Sequence, residues 1–197
     1  VVVLGDNPYY TEYGHTYVDP GIIAFDSDGT NITDDVVVTG TVNTNSIGQY
    51  LLSYSVTGTN GEVSEIVTRT VIVRDTTLPV VTVATISSNN VYRSDRAKKG
   101  DTVTLLLTFS KSIANTPTVT IGGRTAIVTG SGTTRTATYT IPVDETTLIE
   151  GILAINVSNY RDSFSNEGPT VTQITSGNNV IYDVTPVVFT SFYVGGT

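Results

Sequence analysis

The chain reads as all-β, built of two tandem β-sandwich domains followed by an orphan C-terminal strand, and three observations predict this. Val, Thr, Gly, Ser and Asn dominate the 197 residues while Cys, Met and Trp are absent, a bias toward residues that fit pleated strands and tight turns. Short β-branched or alternating runs recur between clusters of Gly, Asn, Asp and Pro, and no segment sustains the 3.6-residue apolar period of a helix. Finally, "VIVRDTTLPVVTV" at Val71 to Val83 is echoed by "VIYDVTPVVF" at Val180 to Phe189. One junction grammar, an Asp and then Pro-Val-Val after a β-rich run, therefore occurs twice.

In chain order, the first half offers "VVVL", "GIIAF", "DVVVTGTV", "GQYLLSYSVT" and "SEIVTRTVIVR", separated by "GDNP", "VDPG", "DSDGTN", "NTNSIG" and "GTNG". In "QYLLSYSV", Tyr50, Leu52, Tyr54 and Val56 share one face at period two and are expected to point into a core. The second half offers "VVTVATI", "DTVTLLLTF", "TVTI", "RTAIVTG", "TRTATYTI", "GILAINVS" and "PTVTQIT" with "VIYDV". Seven strand-like segments with frequent turns suit an immunoglobulin-like sandwich. The expected boundaries are 1–76 for the first domain and 77–185 for the second, with 186–197 opening a further module or serving another subunit as a donor strand.

Composition limits the function. No run of about 18 apolar residues occurs, so no membrane insertion is expected in this segment. The chain does not open on Met and is expected to be a processed piece of a longer protein. Without Cys there is no disulfide framework, thiolate metal site or thiol nucleophile. The formal charge of −8 is unevenly placed, because residues 1–78 carry ten acidic side chains against Arg69 and Arg74, while residues 79–197 carry eight of each sign. An acidic first half of this kind opposes nucleic-acid binding, which needs clustered Lys and Arg.

The residues of the first domain resemble a family. Gly14, Tyr17, the Asp19-Pro20-Gly21 turn, Asp26, Asp28-Gly29, Ile32-Thr33, Gly48-x-Tyr50 and the Asp75-Thr76-Thr77 end are similar to the hyalin-repeat-like type of bacterial Ig-like domain. The second domain, with "KKGDTVTLLLTFS", "PTVTIGG", "TATYTIP" and "YRDSFSNEG", resembles another bacterial Ig-like repeat found in adhesins and surface-layer-like proteins. The resemblance implies an extracellular, cell-surface location and a structural, spacing or adhesive role.

Candidate sites are few. Calcium takes six to eight oxygen ligands, and Asp75, Asp162, Asn166 and Glu167 form a candidate junction site for it, with Arg161 pairing to a nearby carboxylate as the competing reading. Asp26 and Asp28 form a weaker candidate, since "FDSDGTN" lacks the longer acidic pattern of an EF-hand loop. Members of the resembled family commonly carry an Asp and a Gly-Asn in the neighbouring loop, where this chain has "TGTNGE", so a Gly-bearing turn is the alternative there.

No catalytic residues are assigned and no enzyme is expected. The single His15 sits in a turn, and the adjacent pairs Asp34-Asp35 and Asp144-Glu145 lie in no recognisable pocket pattern. Sequons place possible glycosylation at Asn31 and Asn156. Tyr9, Tyr10 and Tyr13 are either a glycan-stacking patch or ordinary core tyrosines.

Charge gives an expected mode of assembly, with an ordinary solvated basic loop as the competing reading. The loop "YRSDRAKKGD" gathers Arg93, Arg96, Lys98 and Lys99 at one pole of the second domain, and Asp26, Asp28, Asp34 and Asp35 lie at the opposite pole of the first. The expected partners are further copies or neighbouring Ig-like modules, docked head to tail with strand addition by 186–197. A glycan or surface protein bound through the loops, or an accessory role in a larger secreted enzyme, are the alternatives.

Overall fold

The computed structural model describes residues 1–185, so the strand expected at 186–197 lies outside the described residues. Contacts divide the chain into two compact units, Val1–Thr76 and Thr77–Thr197.

The first unit contains β1 (Val2–Val3), β2 (Tyr9–Glu12), β3 (Ile22–Ile23), β4 (Val37–Thr39), β5 (Gly48–Ser55) and β6 (Val67–Arg74). β1 pairs with β3, and the larger sheet runs in the order β2-β6-β5-β4. The two sheets face each other: Val3 and Ile22 from the small one, with Val1 just before it, pack on Leu52, Tyr54 and Val71 from the large one. Period two places Leu52, Tyr54 and Val56 inside, and Tyr50 half-buried on the same face, as expected. A second cluster, Ala24, Ile32 and Val56, closes the end of the sandwich.

In the first unit, β2 is the strand the sequence reading leaves out. It runs parallel to β6, pairing Tyr9 with Val71 and Glu12 with Arg74. Tyr9 packs against the core, whereas Tyr10 faces outward with its ring 4.4 Å beneath the Arg74 guanidinium. Pairing across more than sixty residues is a tertiary event that local pattern does not encode.

The second unit contains β7 (Val81–Ser88), β8 (Arg96–Ala97), β9 (Thr102–Phe109), β10 (Thr118–Ile121), β11 (Arg124–Thr125), β12 (Ile127–Thr129), β13 (Thr134–Thr140), β14 (Gly151–Ile152), β15 (Ile155–Ser158) and β16 (Ile181–Tyr182). One sheet has the order β12-β13-β9-β7, faced by β11-β10-β15 and by β14-β16-β8. Val103, Leu105, Leu107 and Phe109 of β9 meet Val119, Ile121, Ile155 and Val157 across a single core, as the alternation in "DTVTLLLTF" requires. The chain is a β-protein of sandwich units, with one short 3₁₀ turn, at Thr33–Asp35, among the described residues.

Each unit points one arginine into its interior. Arg69, on the inward register of β6 with Val71 and Val73, is fully buried. Arg135 on β13 is also buried and donates to the carbonyls of Gly132, Thr134 and Ile113. A guanidinium has five donors in a rigid fork, so one buried side chain fixes several loop carbonyls at once.

Candidate functional site

Three clusters of polar side chains stand out, and each is built on loops held by a sandwich. The first is the Arg69 hub. Its Nη2 donates to Leu4 O at 2.6 Å and Gly21 O at 3.0 Å, Nη1 to Asp6 O at 3.0 Å, and Nε to the Tyr54 hydroxyl at 3.3 Å. Asp19 Oδ1 lies 3.3 Å from Nη2 and accepts the Gly21 amide at 2.8 Å, while Oδ2 accepts the Tyr54 hydroxyl. The N-terminal segment and the Asp19-Pro20-Gly21 turn are thereby tied to the sheet. Sequence reasoning singled out the turn and missed the arginine, although its register with Val71 and Val73 already places it inside.

Burial works to raise the Asp19 carboxyl, but the Tyr54 hydroxyl, the Gly21 amide and Arg69 outweigh it and hold the group below its ordinary 3.8. Asp162 behaves alike: burial opposes ionisation, and the Asn166 side chain, Lys111 and the Asn166 and Phe164 amides override it, again below 3.8. A depressed folded pKa gives stability that is present above the unfolded value and is lost as pH falls through the folded one. The melting temperature is therefore expected to stay level from neutrality to about pH 5 and to drop below about pH 4. A thermal melt series across that range checks it.

The second cluster is the pair of loops at 25–32 and 57–63. Bridges Phe25–Asn31 and Thr57–Val63 make each a small hairpin. Asp26 joins them, accepting the Thr59 amide at 2.8 Å and the Thr59 hydroxyl as well as the Ser27 amide at 2.7 Å. Asp28 accepts the Thr30 amide at 2.9 Å. Those hydrogen bonds, the Thr59 hydroxyl first for Asp26 and the Thr30 amide first for Asp28, draw both carboxyls below the usual range. The Gly-bearing turn is real, and Asp26 additionally locks the adjacent loop. A cleft of about 230 Å³ lies between the hairpins, lined by Phe25, Ile32, Val56 and Val63 with Asp26 and Glu62 among its polar residues.

The third cluster is the loop at 161–167. Asp162 Oδ1 accepts the amides of Phe164 and Asn166, both at 2.9 Å. Its Oδ2 accepts Lys111 Nζ and Asn166 Nδ2, both at 3.0 Å. Glu167 pairs with Arg161 at 2.7 Å, the alternative weighed from sequence. Asp75 belongs to the first unit, half-buried one residue beyond β6. Among the described residues, no three His, Asp or Glu side chains gather as metal ligands do.

Elsewhere, Arg93 pairs with Asp95 at 2.7 Å and Arg96 lies 3.9 Å from the same carboxylate. No ion pair to Lys98 or Lys99 occurs among the described residues. Asp34 and Asp35 are exposed on the 3₁₀ turn, as is His15 beyond β2. Asp144 is exposed, while Glu145 is drawn down to about 2, first by the Thr147 amide and then by its hydroxyl. Asn31 is exposed, its Oδ1 accepting the Thr33 amide at 2.9 Å. Asn156 lies on β15 on the face opposite the buried Ile155 and Val157.

Residues 1–73 match the family model for the Ig-like domain of bacterial surface proteins, and the first unit is a domain of that class. Among solved structures, the lipoprotein BT2262 from Bacteroides thetaiotaomicron is 18% identical, covering 79% of this chain and 91% of its own, with a TM-score of 0.35. The D00–D0 domain of Intimin is 11% identical, covering 86% and 96%, with a TM-score of 0.24. A comparison with curated proteins finds no match. Among the described residues no helix is long and apolar enough to cross a membrane.

Proposed function

We propose that the chain is a non-catalytic structural segment of an extracellular bacterial surface protein, whose Ig-like units space and join copies head to tail in a layer, filament or stalk. The match of residues 1–73 to a surface-protein domain supports the location. The observation that carries the joining is the separation of charge. No Lys or Arg precedes Arg69, whereas the 89–101 segment holds Arg93, Arg96, Lys98 and Lys99 against two carboxylates. Complementary fields orient an encounter between copies and suppress other arrangements. Electron microscopy of purified protein at low ionic strength is expected to show extended polymers. Dispersed particles that a glycan array retains would instead support an adhesive module.

At Asp162, we infer that Lys111 supplies the counter-charge that a calcium ion would otherwise bring. A buried carboxylate needs a compensating cation, and the ammonium at 3.0 Å provides one. Millimolar calcium is expected to leave the melting temperature unchanged, whereas Lys111→Met lowers stability by about 1–2 kcal/mol, solvent screening part of the pair. A rise of several degrees on adding calcium, abolished by Asp162→Asn, would overturn this inference.

A further inference from the structure

The self-association proposed above leaves open which surfaces meet, and two features answer each other in shape and charge. The first is an exposed apolar tip held on an ordered loop. Val91 is 85% and Tyr92 87% exposed, yet the backbone beneath them is pinned. Asn90 Oδ1 accepts the amides of Tyr92 and Arg93 at 3.1 and 3.3 Å, and Asn90 Nδ2 donates to Asp101 Oδ2 at 2.8 Å. Asn89 Oδ1 accepts the Thr102 amide at 2.7 Å, and the Ser88 amide donates to Ser94 O at 2.8 Å. A tyrosine presented on a fixed backbone loses little freedom when it docks, and tyrosine and arginine are the residues that anchor interfaces. Arg93 adjoins the tip, and Lys98 and Lys99 follow on the strand-to-strand turn beside Asp101, whose carboxylate accepts the Lys98 amide at 2.9 Å.

The second feature is the cleft of the first unit. Ile32 and Val56 are 7% and 5% exposed and form its floor, while Phe25 and Val63, at 56% and 67%, stand as open walls. Asp26 clamps the two hairpins together through Thr59, so the cleft exists before anything enters it. About 230 Å³ falls below the usual range of small-molecule sites, about 300–1,000 Å³, and suits one aromatic side chain. Asp26 and Glu62 stand at its edge, and Asp28, Asp34 and Asp35 continue the same 26–35 segment.

We infer that Tyr92 of one copy seats in the Phe25–Val63 cleft of a second copy, with Arg93, Lys98 and Lys99 facing the carboxylates around it. The inference rests on the self-association reading and names its contact. Knob and cleft sit on different surfaces, so the contact is heterologous and adds copies one after another, as a ring or an open chain.

The chain contains no cysteine, which makes disulfide trapping clean. Copies carrying Tyr92→Cys, mixed with copies carrying Val63→Cys under mild oxidation, are expected to yield a mixed disulfide dimer at least tenfold faster than with Leu51→Cys, an exposed control on the outer sheet face. Sedimentation of Tyr92→Ser is expected to show association weakened at least tenfold, and Glu62→Lys to weaken it as well. Mixing these two variants restores pairing, because each retains the half the other lacks, but stops growth at two copies. Equal trapping at Leu51→Cys, or association undiminished in Tyr92→Ser, overturns this contact and leaves self-association standing. A parent chain that stays monomeric at every concentration overturns both.

Discussion

Arg69→Met is expected to destabilise the first unit by about 3–5 kcal/mol, the cost of breaking a buried charged network by removing one partner. The reason is the number of groups orphaned together. The carbonyls of Leu4 and Asp6 lose the guanidinium as donor, the Gly21 carbonyl is left with the Leu4 amide, and the Asp19 carboxylate loses the guanidinium at 3.3 Å. Set against a total of about 5–15 kcal/mol for a typical domain, the loss leaves this unit near its unfolding threshold at room temperature. Arg69→Lys is expected to recover little, since one ammonium cannot reach three carbonyls in a fixed fork. Urea unfolding of the intact chain reads the effect: the transition of the first unit moves to lower denaturant while that of the second stays in place. A single transition unmoved by Arg69→Met would show that the hub contributes nothing.

Gly168→Ala is expected to have the second large effect, in the other unit. A Cβ at this position would lie 1.9 Å from Tyr160 Cε2 and 2.4 Å from the Pro79 carbonyl oxygen. Neither neighbour has room to yield. Tyr160 is fully buried, its hydroxyl donates to Pro169 O at 2.6 Å, and its ring meets Phe109 edge-on at 5.0 Å. The Gly168 amide donates to Tyr160 O at 2.9 Å, holding the two segments together. Overpacking a tight core costs typically about 1–3 kcal/mol and more where backbone blocks the way, so about 3 kcal/mol or more is expected. Tyr160→Phe, which keeps the ring and loses the hydrogen bond, is expected to cost about 1 kcal/mol. Thermal melts of the two variants separate packing from hydrogen bonding.

What the sequence makes legible is the alternation of faces. Leu52, Tyr54 and Val56, or Val103, Leu105, Leu107 and Phe109, are buried because every second side chain of a strand faces one way. The same rule, applied to "VTRTVIV", places Arg69 inside, so that residue was readable and was passed over because charged side chains are ordinarily exposed. β2 and β8 were not readable. Four residues at Tyr9–Glu12 and two at Arg96–Ala97 form strands only because β6 and β16 offer parallel partners far along the chain.

The candidate site divides in the same way. The pairing of Arg161 with Glu167 is local, and the sequence offers an Arg161–carboxylate pair as one of two readings of this loop. Lys111 lies 51 residues from Asp162, and Thr59 lies 33 from Asp26. These contacts decide what each carboxylate does, yet spacing alone gives no sign of them. Charge placement needed no structure, because the absence of Lys and Arg before Arg69 is visible at once.

That charge separation carries the functional account, and ionic strength is the variable that addresses it. Sedimentation velocity of the intact chain, run across protein concentration at low and at high salt, is the direct test. The account predicts concentration-dependent association at low ionic strength that dissolves as salt shortens the screening length from about 30 Å at 0.01 M to about 3 Å at 1 M. A sedimentation coefficient that is independent of salt, monomeric or otherwise, would contradict it.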